Sequence, residues 1–253
     1  MVVCDPASTV AHRLPRYSVV LPVFNEGANI GTFCARALAE FPPGCELLVC
    51  YDRDDDDTLP ALATSPEARQ FEQLRLIKND IAPGARYAIE AGMRAARAPV
   101  VVVMMADLCD DGSRLEELVR LVEDGADVAC ASRYSEGGGQ QGGPWFKSQL
   151  SRAAGISLHY LTRLPTRDAT NSFKAYRKSF LDRTRIESTA GFSLGIELTV
   201  KAHFGGGRVR EVPAHWRARI AGESRFQLFR WLPQYLRWYT YACKSHFRAS
   251  RPA

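Results

Sequence analysis

Three groups of acidic and amide side chains stand directly after apolar runs: Asn25-Glu26 after YSVVLPV (17–23), Asp52 to Asp57 after ELLVCY (46–51), and Asp107 to Asp111 after PVVVVMM (99–105). Clustered carboxylates repel one another unless a cation or a hydrogen-bonding ligand lies between them. Hard oxygen ligands at such positions suit Mg2+ or Mn2+ bridging a diphosphate, because these ions take few protein carboxylates and keep places for phosphate oxygens. Asp107 follows the most apolar run of the chain, so a rigid element delivers it to a definite place. Asp52, directly after its own run, is expected to face a ligand. Asp54 to Asp57 read as a solvated turn, and one of Asp110 and Asp111 reads as the cap of a helix starting near Ser113. The chain contains no GxxxxGK[ST], and no GxGxxG directly follows these apolar runs, its one match (GGGQQG, 137–142) lying inside a Gly-rich stretch, so the P-loop and dinucleotide-binding readings have no support.

The elements that would position these residues alternate along the chain. A strand over 17–23 precedes a helix in which Ile30, Phe33, Cys34, Ala37 and Leu38 recur at helical spacing, with Asn25 as its expected cap. Strands follow at 46–51, 74–77, 99–105 and 127–131, with helices near 66–73, 84–97 and 113–123. The apolar runs lack polar alternation, which means strands covered on both faces and an α/β fold with a mostly parallel sheet. Ligands of such sheets bind beyond the carboxyl ends of the strands, where the three polar clusters fall. Beyond a Gly-rich stretch, SEGGGQQGGP (135–144), that reads as a mobile loop, helices are expected near 145–162 and 194–203 and a strand at 208–213. The segment 225–247 places Phe226, Phe229, Leu232, Leu236, Tyr239 and Cys243 on one face and Arg230, Gln234, Arg237 and Lys244 on another, with a kink expected at Pro233.

Composition sharpens the reading of that tail. The chain has 253 residues, 46% hydrophobic and 24% charged, which excludes wholesale disorder. Residues 208–253 hold ten Lys/Arg and two acids, whereas the rest of the chain holds 23 basic and 26 acidic side chains, so the whole positive excess of +5 lies in the tail. Aromatic and apolar residues alternate with those cations, which fits a membrane surface or lipid phosphate better than nucleic acid. The seven cysteines form no CxxC pair, so neither a disulfide framework nor a zinc site is indicated, and a reducing compartment fits. The longest apolar run, Ala98 to Ala106, is far short of the roughly 20 residues that span a bilayer. These features predict a cytoplasmic chain lying peripherally on the cytoplasmic face of a membrane.

The motifs, taken in order, resemble a family. VVLPVFNEGANI is similar to the opening of family 2 glycosyltransferases of the GT-A fold, VCYDRDDDDT to their second-strand acidic turn, and VMMADLCDD to their D-x-D region. ASRYSEGG, WFKSQLS, DATNSFKAYR and RIAGES resemble, in order and spacing, the dolichol- or polyprenyl-phosphate mannose (or glucose) synthase branch. The resemblance covers about 17–226. It implies a GT-A, Rossmann-like mostly parallel sheet flanked by helices, with a C-terminal amphipathic helical extension. Its expected boundaries are an N-terminal extension at 1–16, a catalytic domain at 17–224 (nucleotide-sugar half to about 134, acceptor half from 135), and a basic amphipathic segment at 225–253.

The resemblance also implies roles. Pro22, Phe24 and Glu26 would line the pocket for base and ribose, Asp52 would recognise the base, and Gly84 and Gly92 match small-residue positions beside the nucleotide. Asp107 matches the second Asp of D-x-D, the contact to metal and donor diphosphate. Met105 replaces the first Asp and Cys109 the usual Gln, so an Mg2+ or Mn2+ ion would rest on Asp107, phosphate oxygens, water and Asp110. Arg133, Lys147 and Arg219 match the cations that hold the acceptor phosphate, an interdomain ion pair being the alternative for Arg133 and Arg219. The implied reaction is inverting transfer of a hexose from a nucleotide-diphosphate sugar, GDP- or UDP-linked, to polyprenyl phosphate. A phosphate acceptor arrives already anionic and needs no general base. A rival family 2 reaction on a sugar hydroxyl would need one, with Asp168 or Glu197 as candidates, and a non-catalytic nucleotide-sugar-binding protein is the other alternative that Met105 leaves open.

Overall fold

The computed structural model describes residues 14–189, 191–218 and 228–249. Strand β1 (Tyr17–Pro22) is buried along its whole length and leads through a short loop into α1 (Gly27–Glu40), whose Ile30, Phe33, Cys34 and Ala37 face the sheet at i, i+3, i+4 and i+7. β2 (Cys45–Tyr51), α2 (Thr58–Thr64), β3 (Leu74–Lys78), α3 (Ala85–Ala95), β4 (Val100–Val103), α4 (Leu115–Glu123) and β5 (Val128–Ser132) continue the alternation. Then come β6 (Gly139–Gln141), α5 (Trp145–Thr162), β7 (Lys174–Arg177), α6 (Lys178–Arg183), α7 (Leu194–Phe204), β8 (Val209–Pro213), β9 (His215–Arg217) and α8 (Leu228–Ala249).

Seven strands form one sheet in the order β3-β2-β1-β4-β7-β5-β8. All neighbours are parallel except β7, which runs antiparallel between β4 and β5. The sheet therefore draws strands from both sides of residue 134 into one layer. Successive side chains of each strand enter different cores. Val19, Leu21, Leu47, Val49 and Val102 meet α1 and α4, while Val20, Leu48, Cys50, Val101 and Val103 meet α3 and α7. A third cluster joins Leu158 of α5, Ile196 and Val200 of α7, and Trp238 and Ala242 of α8.

Several expectations are corrected. The helix expected near 66–73 is a single 3-10 turn, Ala68–Gln70, and α2 lies earlier, with Pro60 in the first turn where a missing N–H is tolerated. Asn25 does not cap α1: Glu26 holds that position, and Asn25 turns the chain with φ +54°, a region Asn tolerates better than most residues. Asp111 does hold the N-cap position of the 3-10 turn Gly112–Arg114 that leads into α4, without a side-chain bond to the backbone there, its carboxylate accepting the Ser113 hydroxyl at 2.6 Å. Part of the Gly-rich stretch is strand β6, paired with β9. The α8 helix runs through Pro233, and its buried side is Trp238 and Ala242 flanked by Tyr235 and Tyr239, whereas Leu236 of the expected apolar face is 52% exposed. Gly92 packs a helix on the sheet: a Cβ there would meet Val20 and Cys50 at 2.5 and 2.6 Å, which removes it from the side of a nucleotide.

Candidate active site at the carboxyl edge of the sheet

The loops after β1, β2 and β4 emerge from three adjacent parallel strands, and carboxylates of the β2 loop hold the β1 loop. The Asn25 N–H donates to both oxygens of Asp56 at 3.1 Å, the Glu26 N–H to the Thr58 hydroxyl at 2.9 Å, and the Gly27 N–H to Asp57 at 2.8 Å. Asp56, 2% exposed, also accepts the Thr58 N–H. The second acidic cluster is thus divided, and the solvated-turn reading holds for only part of it. Asp54 and Asp55 pair with Lys78 and Arg53 at the surface, while Asp56 and Asp57 build the loop that carries Phe24 and Glu26. Phe24 is 42% exposed beside that loop, and Glu26 accepts the Asn29 amide at 2.6 Å.

Asp52 points the other way. One oxygen accepts from the Asn79 amide and the other from the Gly84 N–H, both at 2.7 Å. Gly84 has φ +121° and open space where a Cβ would stand, so the backbone entering α3 is bare on that side. Asn79 was not singled out by the sequence. Its position one residue past β3 is the only signal, and its role is to hold Asp52 and the Ala82 carbonyl together.

After β4 the chain makes a tight turn at Leu108, φ +62°. The Cys109 N–H donates to Asp107 at 3.1 Å, and the Met105 N–H to Asp110 at 3.0 Å. Asp110 is buried, and that burial, with the nearby charge of Asp107, raises its pKa to about 7. No group of three His, Cys, Asp or Glu side chains that could cage a metal occurs among the described residues. The donor set fits a hard cation that takes most of its oxygens from a diphosphate and relieves the repulsion between Asp107 and Asp110.

Arg133, at the end of β5, is locked to Asp168 by two parallel bonds of 2.7 and 2.9 Å, and its own N–H donates to the same carboxylate. Asp168 is fully buried. The Arg133 guanidinium also donates to the Ser151 hydroxyl at 3.1 Å, and Ser151 meets Thr170. In front of Arg133 lies a cleft of about 430 Å3 between the Gly-rich segment and α5, with Gln140, Trp145, Ser148 and Arg152 in its wall. Lys147 is half-buried and lies outside that wall, and Arg219 falls outside the described residues. Glu197 is fully buried, accepting the N–H groups of Glu187 and Ser188 at 2.6 and 2.8 Å and the Lys201 ammonium at 2.8 Å.

This mostly parallel sheet, with polar loops along its carboxyl edge and an antiparallel strand inserted beside β4, has the architecture of the GT-A fold. The family model "Glycosyl transferase family 2" matches residues 18–185, and the chain belongs to that family. It is 29% identical over 226 residues to a polyprenol monophosphomannose synthase of Mycolicibacterium smegmatis, covering 87% of this chain and 84% of that protein. It is 26% identical to a dolichol-phosphate mannosyltransferase of Pyrococcus furiosus, covering 88% of this chain and 64% of the relative. Among solved structures, a glucosyl-3-phosphoglycerate synthase of Mycobacterium tuberculosis with bound Mn2+, UDP and glucosyl-3-phosphoglycerate superposes with a TM-score of 0.66 at 17% identity, over 91% of this chain and 80% of that one.

Proposed function

We propose that this family 2 enzyme transfers a hexose from a GDP- or UDP-linked donor to polyprenyl phosphate, with inversion at the anomeric carbon. The observation that carries the reading is the state of the two carboxylates that are candidates for the base a hydroxyl acceptor would need. Asp168 is consumed by Arg133 and Glu197 by backbone amides and Lys201, so neither is placed to take a proton. An acceptor that arrives as a phosphate requires no such base. The names of the two curated relatives agree with that acceptor class.

In this reading Pro22, Phe24 and Glu26 line the base and ribose pocket, and Asp52, oriented by Asn79 and the Gly84 N–H, recognises the base. Asp107, with Asp110 behind it, would hold Mg2+ or Mn2+, which would supply charge neutralisation for the departing diphosphate. Mn2+ stands beside UDP in the solved relative, which supports a divalent ion here. Arg133, Lys147 and Arg219 gather the acceptor phosphate, so that two anionic substrates are held in reacting order. The enzyme works peripherally at the cytoplasmic face of a membrane, where such a lipid presents its phosphate. No helix among the described residues is long and apolar enough to cross a membrane. Incubation with a panel of radiolabelled GDP- and UDP-sugars and undecaprenyl phosphate, with and without EDTA, is expected to move label into the organic phase only when free divalent ion is present. Label that passes instead to a neutral sugar, or not at all, overturns the reading.

A further inference from the structure

Among the described residues, the wall of the cleft in front of Arg133 has no carboxylate, yet two guanidinium groups reach it. Arg133 is compensated by the buried Asp168, so the pair is close to neutral. Arg152 is different: it is exposed and makes no hydrogen bond or ion pair among the described residues. Trp145, Ser148, Gln149 and Arg152 follow one another at i, i+3, i+4 and i+7, so a single face of α5 lines the cleft. Lys147 belongs to the adjacent stripe with Ser151, which turns toward Arg133 and Thr170. Tyr134 also lines the cleft, its ring under the Arg133 guanidinium at 4.8 Å and its hydroxyl donating to the Gln140 amide oxygen at 3.4 Å. Burial raises the pKa of its phenol, and the charges of Arg133 and Arg152 oppose that rise, so both cations act on Tyr134. The net positive charge of this cleft therefore comes from Arg152.

We propose that Arg152 binds the phosphate monoester of the acceptor in this cleft, with the Gln149 amide and the Tyr134 hydroxyl beside it. A guanidinium fork matches two phosphate oxygens and does so without the desolvated partner that occupies Arg133. The assignment rests on the reading that the acceptor carries a phosphate. It adds a residue that the motif order did not single out: Arg133 keeps only its Nη1 donors, Nε and Nη2 being taken by Asp168 and Ser151, whereas the Arg152 guanidinium has no partner among the described residues.

Calorimetric titration of the full chain with inorganic phosphate, phosphoglyceric acid and farnesyl phosphate tests it without requiring turnover. Wild type is expected to bind at least one of the three. Arg152→Ala should weaken that binding about 10- to 100-fold, as loss of charge-assisted hydrogen bonds does, and Arg152→Lys by less. Affinity for UDP or GDP should stay within about twofold, as it should in an Arg69→Ala control on the far surface. Arg152 is exposed, and matching thermal melts confirm that the variants fold. Binding confined to farnesyl phosphate identifies a lipid headgroup, and equal binding of the soluble esters identifies a free phosphate; both support the site. Absence of binding to all three, or equal affinity in Arg152→Ala, overturns it. If Arg152→Ala loses phosphate affinity while wild type moves no hexose to polyprenyl phosphate, the cleft assignment stands and the lipid acceptor falls.

Discussion

At the scale of single residues, most of the acidic side chains that drew notice prove to be builders, and few face a ligand. Asp56 and Asp57 hold the β1 loop, Asp52 is aimed by Asn79 and Gly84, and Asp107 stands at the turn after β4. If Asp107 holds the ion on the donor diphosphate, Asp107→Ala should lower kcat about 100- to 1,000-fold, the usual scale for removing one preorganised stabiliser of developing charge, with an unchanged melting temperature. Steady-state rates at saturating donor and acceptor read this directly. Glu197→Gln should behave in the opposite way. It loosens the Glu187 and Ser188 amides and the Lys201 ammonium, so stability in urea should drop by about 1–3 kcal/mol while kcat per folded molecule stays within about twofold. A collapse of kcat in a stably folded Glu197→Gln would restore it as a base.

At the scale of elements, the buried Glu46 of β2 shows how the sheet tolerates a charge at its far end. Burial pushes its pKa up, but the Ser18 hydroxyl, the Arg97 N–H and Arg75 outweigh that and hold it below the usual glutamate value. A depressed carboxylate contributes stability that is fully present above its unfolded pKa of about 4.5 and is lost as pH falls through the folded value. Denaturant melts should therefore weaken with acid below about pH 4.5 more steeply in wild type than in Glu46→Gln. Docking of α8 is a second test: Trp238 is 2% exposed, donates its indole N–H to Ser188 at 2.8 Å, and lies under Lys201 and Arg237. Trp238→Ala should cost about 3–5 kcal/mol and increase amide exchange across α8, measured by hydrogen–deuterium exchange.

These elements also show what could be read in advance. The strands that carry the site were legible because uninterrupted Val and Leu runs are buried on both faces. α2 was not, because YDRDDDDTLP looks like a turn until Asp56 is seen to be an internal acceptor. β7 was hidden by Lys174, whose ammonium is fully buried yet satisfied by the Ala169 and Asn171 carbonyls, a compensation that only tertiary structure supplies. The buried face of α8 was misread because Trp238, between Arg237 and Tyr239, interrupts the stripe that hydropathy alone would draw. Arg152 escaped notice because its value depends on Arg133 being spoken for.

At the scale of the whole molecule, exposed aromatic and apolar side chains gather on two packed helices: Trp145, Phe146, Tyr160 and Leu161 of α5, and Leu236, Tyr241 and Phe247 of α8. α8 adds Arg230, Arg237, Lys244 and Arg248. If these helices meet a membrane, the full chain should co-sediment with vesicles containing anionic lipid, and the bound fraction should fall when salt is raised to about 0.5 M, because each cation near an anionic leaflet contributes only about 1 kcal/mol. Trp145→Ser with Phe146→Ser should release it further. Equal pelleting with and without vesicles would remove the membrane from the account.

The inserted strand β7 has a consequence for how this chain comes into being. Residues 100–103 and 128–132 are separated by fewer than thirty positions, yet each waits for residues 174–177 to join them. During synthesis the first four strands in sheet order, β3-β2-β1-β4, are assembled with β4 as a bare apolar border, while β5 has no neighbour until β7 and β8 emerge. Such a border templates pairing with another chain. A nascent chain that ends before residue 174 thus carries an open seam between two half-sheets, which the four residues KAYR bridge and β8 later completes at the far edge.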